Sequence, residues 1–243
     1  MYNVTLIPGD GIGPEVANAT KAVVDATGIQ INWEEVNAGE AVYEKVGTLV
    51  PDEVYASIEK NKIALKGPIT TPIGKGFRSI NVMLRKKYDL YSNVRPSRNF
   101  KGIDTVFNNV NMTIFRENTE GLYIGEEKVI DDNVTEATKR ITREGSLRIC
   151  KEAFEYAKKH GKKTVAVAHK ANILKITDGL FLECAREISK DYPEIKVKEV
   201  IIDNMCMQMV SNPSQFEVVV TMNLYGDILS DLAAGLVGGL GRS

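Results

Sequence analysis

The chain has 243 residues, of which 43% are hydrophobic, and is therefore long enough to bury the core of one or two domains. A formal net charge of −1 excludes the strongly basic surface of a general nucleic-acid-binding protein. No apolar stretch reaches the ~18–20 residues of a membrane-spanning helix. Because the sequence begins directly with a strand pattern and shows no signal peptide, we expect a cytoplasmic protein.

Strand and helix patterns then alternate along the chain. Proline suits the first turn of a helix, so Pro14 indicates a helix start, and Gly161 indicates the end of a later helix. The sequence predicts strands over residues 4–7, 31–36, 63–65, 164–168, 197–202 and 218–221, and helices over residues 14–28, 51–61, 143–160 and 178–188. This alternation predicts an α/β fold with a largely parallel sheet.

The glycine-rich segment after the first strand, residues 9–14, lies where a dinucleotide-binding loop would lie. The G-x-G-x-x-G pattern would need glycine at position 14 or 16, where this chain has Pro14 and Val16. The segment therefore predicts a tight turn and carries no argument for phosphate binding.

Residues 123–141 interrupt the alternation with an acidic, β-rich stretch that lacks a helical period. Two interpretations stay open at this point. The stretch is an arm that reaches a partner subunit, or it is a hairpin on the surface of its own chain.

Residues 70–85 combine a small-residue loop with Ser79 and Asn81 at a predicted helix start. Guanidinium groups that converge must bind anions, because otherwise they repel one another, and a helix N-terminus adds partial positive charge. The pattern predicts a pocket for a small molecule with several carboxylates; the alternative is a capped surface helix with solvated arginines. The arginines concerned are Arg85, Arg95, Arg98 and Arg116.

A second group of candidate residues consists of aspartates. Asp227 and Asp231 are four residues apart after a predicted strand, so on a helix their carboxylates share one face. Carboxylates suit Mg²⁺ or Mn²⁺, and Asp203, after another strand, is a candidate third ligand. The alternative is a solvated helix start.

Lys170 follows the predicted strand at residues 164–168. A lysine at this end of a strand, close to a metal and arginines, would serve as a general base or proton relay. The alternative is a lysine that is simply exposed.

Four motifs together resemble one family: LIPGDGIGPE at residues 6–15, RENTEGLY at 116–123, HKAN at 169–172 and NLYGDILSD at 223–231. The family is that of the isocitrate/isopropylmalate dehydrogenases, which are metal-dependent β-decarboxylating dehydrogenases, and the resemblance covers essentially the whole chain. Ser79, Asn81 and Arg85 are spaced as in the isocitrate subgroup, and the chain is most similar to the NAD-dependent members.

The resemblance implies two α/β domains with a cleft between them. Residues 1–97 would be the N-terminal half of the first, coenzyme-side domain, and residues 98–237 the second domain, which carries dimerisation, metal and substrate sites. Residues 238–243 would begin the return to the first domain. An adenosine-binding loop is expected beyond Ser243, so the chain would be a fragment or a short product with weak coenzyme binding.

The resemblance also implies roles for individual residues. Ser79 and Asn81 would take one carboxylate of the substrate, together with Thr71 nearby. Lys170 would assist removal of the hydroxyl proton, and Tyr123 would return a proton to carbon. Lys170 and Asp203 would reach in from the second subunit of a homodimer. Arg85, Arg95 and Arg116 would hold the other carboxylates, and Asp203, Asp227 and Asp231 would hold Mg²⁺ or Mn²⁺.

The expected reaction is oxidative decarboxylation of isocitrate to 2-oxoglutarate. NAD is favoured over NADP because the neutral Asn212 stands where NADP-dependent relatives place an arginine, and Gln208 nearby adds no charge. Thr71 and Asn81 would also contact the coenzyme. The alternatives are a homoisocitrate or 3-isopropylmalate dehydrogenase, and a regulatory subunit or fragment without activity.

Overall fold

The computed structural model describes residues 1–70 and 79–240. Strands and helices alternate through these residues, as the sequence predicts, and the fold is α/β. The strands are β1 (Tyr2–Ile7), β2 (Ile31–Glu35), β3 (Ala64–Lys66), β4 (Ser92–Arg98), β5 (Asn111–Glu117), β6 (Glu127–Asp131), β7 (Val134–Ala137), β8 (Thr164–His169), β9 (Lys196–Ile201) and β10 (Val218–Thr221). The helices are α1 (Gly13–Ala26), α2 (Glu40–Val46), α3 (Asp52–Asn61), α4 (Ile80–Lys87), α5 (Arg143–Lys159), α6 (Thr177–Ser189), α7 (Ile202–Ser211) and α8 (Asn223–Leu236).

The chain divides into two compact units, and the first comprises Met1–Leu84. Its sheet has the order β2-β1-β3 with parallel pairing, so β1 lies in the centre. Val4, Leu6 and Ile7 of β1 are buried, and α3 covers the sheet with the fully buried Val54. The buried hydroxyls of Thr5 and Ser57 are 2.8 Å apart and satisfy each other.

The turn after β1 is tight, which confirms the sequence prediction. Gly9 has φ +84°, and a Cβ added to it would lie 1.9 Å from the carbonyl oxygen of Pro68, so no larger residue fits there. The carboxylate of Asp10 accepts the backbone N–H groups of Thr70, at 2.6 Å, and Glu40, at 3.4 Å. Hydrogen bonds from this turn therefore connect the loop after β3 to the end of β1.

The second unit comprises Arg85–Ser243 and contains a sheet of order β4-β5-β10-β8-β9. Strands β5, β10, β8 and β9 are parallel, and β4 is antiparallel to β5. Both faces of the parallel strands are covered: α5 and α6 pack on one face, and α7 and α8 on the other. The strands are therefore almost continuously apolar, as in Val218–Thr221.

The boundary between the units differs from the one expected at residue 97. Strand β4 belongs to the sheet of the second unit, because all of its residues from Ser92 to Arg98 pair with β5. Along the chain, the first compact unit ends at Leu84 and the second begins at Arg85, both within α4.

Residues 123–141 contain the hairpin of β6 and β7, which pair antiparallel with every residue exposed. Three of the exposed side chains are large and apolar: Val129, Ile130 and Val134 are 75%, 49% and 44% exposed. The hairpin, one of the two interpretations that the sequence left open, is present, and contact of this stretch with a partner subunit stays a prediction.

Within the described ranges, no helix is both long and apolar enough to cross a lipid bilayer.

Candidate active site

The candidate site residues of the second unit lie at one edge of its sheet. The register places Arg116 beside Thr221, Thr221 beside Ala168, and Ala168 beside Val200, so the carboxyl ends of four parallel strands form one row. Ligands of open α/β sheets bind at this edge. The residues just after these strands, including Lys170, therefore project from the same edge.

Arg116 is the centre of the site. It is only 2% exposed, and its Nη1 forms an ion pair with Oδ1 of Asp227 while its Nε donates to Oδ1 of Asn223 at 2.9 Å. The guanidinium also lies over the ring of Tyr123, 5.0 Å from its centroid. A buried arginine held at two nitrogens presents its remaining donors in a fixed direction, which suits bidentate recognition of a carboxylate.

Two further arginines approach this centre. Arg85 is half-buried, and burial together with the positive charges of Arg116 and Arg95 lowers the pKa of its guanidinium. Nη2 of Arg95 lies 3.8 Å from Oδ1 of Asp231. Arg85, Arg95 and Arg116 therefore lie close together in this unit, whereas the guanidinium of Arg98, which the sequence groups with them, lies over the ring of Phe100. Their binding of a substrate stays a prediction.

Tyr123 forms a hydrogen bond to the other oxygen of Asp227, Oδ2. Burial, followed by this hydrogen bond, raises the pKa of Tyr123 above its ordinary value, although Arg116 opposes the change. The phenol is therefore protonated at neutral pH and has a proton to donate. Asp227 thus joins the arginine centre to the predicted proton donor.

Sequence reasoning gave no role to two residues that shape this centre. Asn223 is buried, accepts from Arg116, and donates to the carbonyl oxygen of Glu120 at 3.1 Å. A Cβ at Gly226 would lie 2.5 Å from Cγ of Arg116. A glycine inside a helix costs about 1 kcal/mol relative to alanine, so a helix-interior glycine next to Asp227 was a signal of close approach.

Lys170 and Asp203 form a separate pair. Nζ of Lys170 contacts Oδ1 of Asp203, and this hydrogen bond lowers the pKa of Asp203. In the part of the chain that the structure describes, no three histidine, cysteine or acidic side chains come together as metal ligands. Among the described residues of one chain, Asp203 therefore does not join Asp227 and Asp231, and the metal site with Asp203 from a second subunit stays a prediction.

The donor set nevertheless fits a hard divalent cation. Asp227 and Asp231 lie on successive turns of α8, and the side chains of Asp231 and Asp203 are 64% and 68% exposed. All three offer only carboxylate oxygens, which Mg²⁺ and Mn²⁺ prefer. Asp227 and Asp231 would thus supply two ligands from one chain.

The remaining predicted site residues belong to other segments of the chain. Ser79 precedes α4, where its carbonyl accepts from Met83, and Asn81 is exposed in the first turn. Thr71 lies outside the described residues. Gln208 bonds to Asn204 on the surface of α7, and the side chain of Asn212 accepts from Ser214 at 2.7 Å. Their roles with substrate or coenzyme stay predictions.

Residues 3–242 match the family described as isocitrate/isopropylmalate dehydrogenase. The chain is 50% identical over 241 residues to the chloroplastic 3-isopropylmalate dehydrogenase of Solanum tuberosum, covering 99% of this chain and 68% of that protein. It is 52% identical to mitochondrial NAD isocitrate dehydrogenase catalytic subunit 5 of Arabidopsis thaliana, covering 98% and 63%.

Among solved structures, the isocitrate dehydrogenase of Methylococcus capsulatus is similar with a TM-score of 0.94 and 53% identity, covering 99% of this chain and 72% of that one. The chain spans about two thirds of the length of the curated relatives it matches. The cytoplasmic location stays a prediction, since these two relatives are named as chloroplastic and mitochondrial. The four sequence motifs, the fold and these similarities agree, and the chain belongs to the isocitrate/isopropylmalate dehydrogenase family.

Proposed function

We propose that the protein oxidatively decarboxylates isocitrate to 2-oxoglutarate with NAD as the hydride acceptor. The observation that carries the proposal is the convergence of Arg85, Arg95 and Arg116 beside Tyr123 and Asp227. Three guanidinium groups at one edge of a sheet suit a substrate with several carboxylates, and the adjacent phenol supplies the proton that decarboxylation requires.

The arginines bind and orient the substrate. Arg116 is the most constrained of them, because Asn223 and Asp227 fix two of its nitrogens. Arg85 and Arg95 would hold the second carboxylate. Ser79 and Asn81 would receive the third with neutral hydrogen-bonding groups, whereas the alkyl group of isopropylmalate would leave those groups unpaired.

The proton transfers fall to two residues. Tyr123 is protonated and hydrogen-bonded, and would donate a proton to the carbon that loses the carboxylate. In its neutral amine form, Lys170 would accept the proton of the substrate hydroxyl. Asp203, Asp227 and Asp231 would hold Mg²⁺ or Mn²⁺, and such an ion supplies Lewis-acid polarisation of the substrate oxygens.

We further propose that the site is shared between two copies of the chain in a homodimer. Lys170 and Asp203, which both have a role in the proposed reaction, support this arrangement. They form an ion pair with each other, whereas Asp227 pairs with Arg116. Each chain would then contribute Lys170 and Asp203 to the site of its partner.

NAD is favoured over NADP by the neutral side chains of Gln208 and Asn212, which offer no cation to a 2′-phosphate. The Arabidopsis relative, at 52% identity, is named as an NAD isocitrate dehydrogenase subunit.

The second candidate is a 3-isopropylmalate dehydrogenase, because the Solanum tuberosum relative of that name is 50% identical. The deciding experiment measures NADH formation by the purified protein with isocitrate and with 3-isopropylmalate. We expect the higher kcat/KM with isocitrate, and a higher value with 3-isopropylmalate would reverse the assignment.

An arginine pair gives the matched control. Arg116→Met should abolish turnover of the preferred substrate. Arg98→Gln should leave it unchanged, because Arg98 lies three residues from Arg95 on β4, on the opposite face, where its guanidinium covers the ring of Phe100 at 5.2 Å. Equal losses in both variants would contradict the assigned arginine centre.

A further inference from the structure

Asp178 is a buried carboxylate in the first turn of α6 that the proposed reaction does not use. It is 0% exposed. Its Oδ2 accepts the backbone N–H of Lys170 at 2.7 Å and the hydroxyl of Tyr225 at 3.1 Å, and its Oδ1 forms an ion pair with Lys139. A buried charge is tolerated only when it is paired and hydrogen-bonded, and here every oxygen is occupied.

The first partner of Asp178 is the backbone of Lys170 itself. The turn that carries Lys170 is tied at three points: Asp178 holds its N–H, its carbonyl accepts from Leu174 at 2.8 Å, and Nδ1 of His169 accepts the N–H of Ala171 at 3.0 Å. The lysine side chain is long and flexible. A fixed backbone therefore decides where its amino group can reach.

The second partner lies on the helix that carries Asp227. Tyr225 is two residues before Asp227 on α8, and its hydroxyl contacts Asp178. Lys139 completes the cluster, with its Nζ 3.4 Å from the hydroxyl of Tyr225 and 4.7 Å from the centre of that ring. One buried carboxylate thus touches both the Lys170 turn and α8.

We propose that Asp178 is a positioning residue, which holds the Lys170 turn against α8 so that the lysine amino group reaches the substrate of the partner chain's site in the correct place. The inference rests on the proposed function in so far as Lys170 transfers a proton. The competing explanation is purely structural, since an acidic residue in the first turn of a helix stabilises that helix whatever lies beside it.

Two double variants separate these explanations. Asp178→Asn/Lys139→Met and Asp178→Ala/Lys139→Met both remove the ion pair and leave no unpaired buried charge. Asparagine keeps an oxygen that accepts the N–H of Lys170 and an amide that donates to Tyr225, whereas alanine keeps neither and also leaves a small cavity. Any general cost of losing the charges is therefore common to both.

The first measurement is hydrogen exchange of the peptide over residues 169–176, followed by mass spectrometry. We expect exchange in the alanine variant to be about tenfold faster than in the asparagine variant, the size of effect that one lost hydrogen bond produces. Exchange within β10 should be the same in both, and this strand serves as the internal reference. Equal exchange at residues 169–176 overturns the proposal.

The second measurement is steady-state kinetics. We expect kcat to be about tenfold lower in the alanine variant than in the asparagine variant, with KM for the hydroxy acid within about twofold, because the lost contact orients a proton-transfer group and not the substrate. Faster exchange with unchanged kcat also overturns the proposal. If the parent protein has no dehydrogenase activity, the proposed function fails, and a positioning role in that reaction fails with it, whereas the exchange comparison still reports whether Asp178 holds the turn.

Discussion

The side chain of Arg116 crosses the backbone of Gly226 so closely that a Cβ there would lie 2.6 Å from Cβ of Arg116 and 2.5 Å from its Cγ. Gly226 therefore shapes the arginine centre through its lack of a side chain. The closeness is possible because β5 and β10 are neighbours, and α8 begins immediately after β10.

Gly226→Ala tests this relationship. We expect the added methyl group to displace Arg116, to raise KM for the substrate several-fold, and to destabilise the protein by about 1–3 kcal/mol through overpacking. Gly235→Ala is the control on the same helix, since nothing lies within 4 Å of a Cβ there. It should stabilise the protein by about 0.5–1 kcal/mol through helix propensity. Thermal unfolding and substrate titration of both variants measure the difference, and similar behaviour would contradict the assignment.

The proposed sharing of the site between two chains makes a prediction about mixtures of chains. Lys170→Met and Asp227→Asn should each be inactive, because each removes one part of every site. When the two variants are unfolded together and refolded, half of the dimers are mixed, and each mixed dimer contains one intact site, so about a quarter of parent activity should return. Activity that stays at the level of the separate variants would argue against a site built from two chains.

Metal binding should depend on Asp227. Asp227→Asn replaces a charged ligand by a neutral one and should weaken Mn²⁺ binding roughly tenfold or more, as measured by calorimetric titration. Asp25→Asn is the control, because Asp25 is an exposed aspartate of the first unit that accepts from Trp33 and Lys21. Undiminished Mn²⁺ affinity in Asp227→Asn would remove Asp227 from the ligand set.

His169 should make the protein sensitive to acid. Burial lowers the pKa of His169 below its ordinary 6.5, Arg186 adds to the lowering, and Glu199 and Asp178 oppose it. Between the lowered value and 6.5 the unfolded chain binds the proton and the folded chain does not. This contribution to stability is therefore complete above pH 6.5 and is lost as the pH falls below it.

Two variants isolate this effect, because His160 and His169 are the only histidines of the sequence. His169→Asn keeps an acceptor for the N–H of Ala171 and cannot be protonated, so its thermal midpoint should fall less between about pH 7 and pH 5 than that of the parent. His160→Asn, at an exposed position after α5, should keep the parental fall. The reverse order would show that the acid sensitivity has another source.

Sequence patterns predicted the elements that have clear end signals. Helix α5 was predicted to within one residue, because Gly161 ends it, and the valine-rich strand β10 was predicted with its observed bounds. Strand β4 was missed because it contains Pro96 and two arginines. Proline is tolerated there because β4 lies at the edge of the sheet, where one side of the strand needs no hydrogen-bonding partner.

Helix α7 was also missed, and Ile202, its first residue, was assigned to the preceding strand. The run Val200-Ile201-Ile202 is β-branched throughout, so local propensity favours a strand to its end, whereas the backbone turns into a helix at Ile202. This matters for the site, because Asp203 projects from the start of that helix towards Lys170.

Among the candidate site residues, the sequence pattern identified charged groups. It indicated Arg85, Arg95, Arg98, Arg116, Asp227 and Asp231, and the structure brings all of these except Arg98 close together. It could not find Asn223, Gly226 or Asp178, whose roles depend on which backbone or side chain lies opposite in space. Nor could it show that Lys170 would bond to Asp203, 33 residues away.

The central place of β10 in the larger sheet also determines the order in which this protein can fold as it is synthesised. Strands β1, β2 and β3 all lie within the first 66 residues, so the smaller sheet can close early. In the larger sheet, β10 lies between β5 and β8 and is synthesised after the other four strands. The edges of β5 and β8 that pair with β10 therefore stay unpaired until β10 has been made. Such distant pairing is slow and leaves apolar strand edges open meanwhile. A nascent chain halted before residue 218 would therefore be the form most prone to aggregate and most in need of a chaperone.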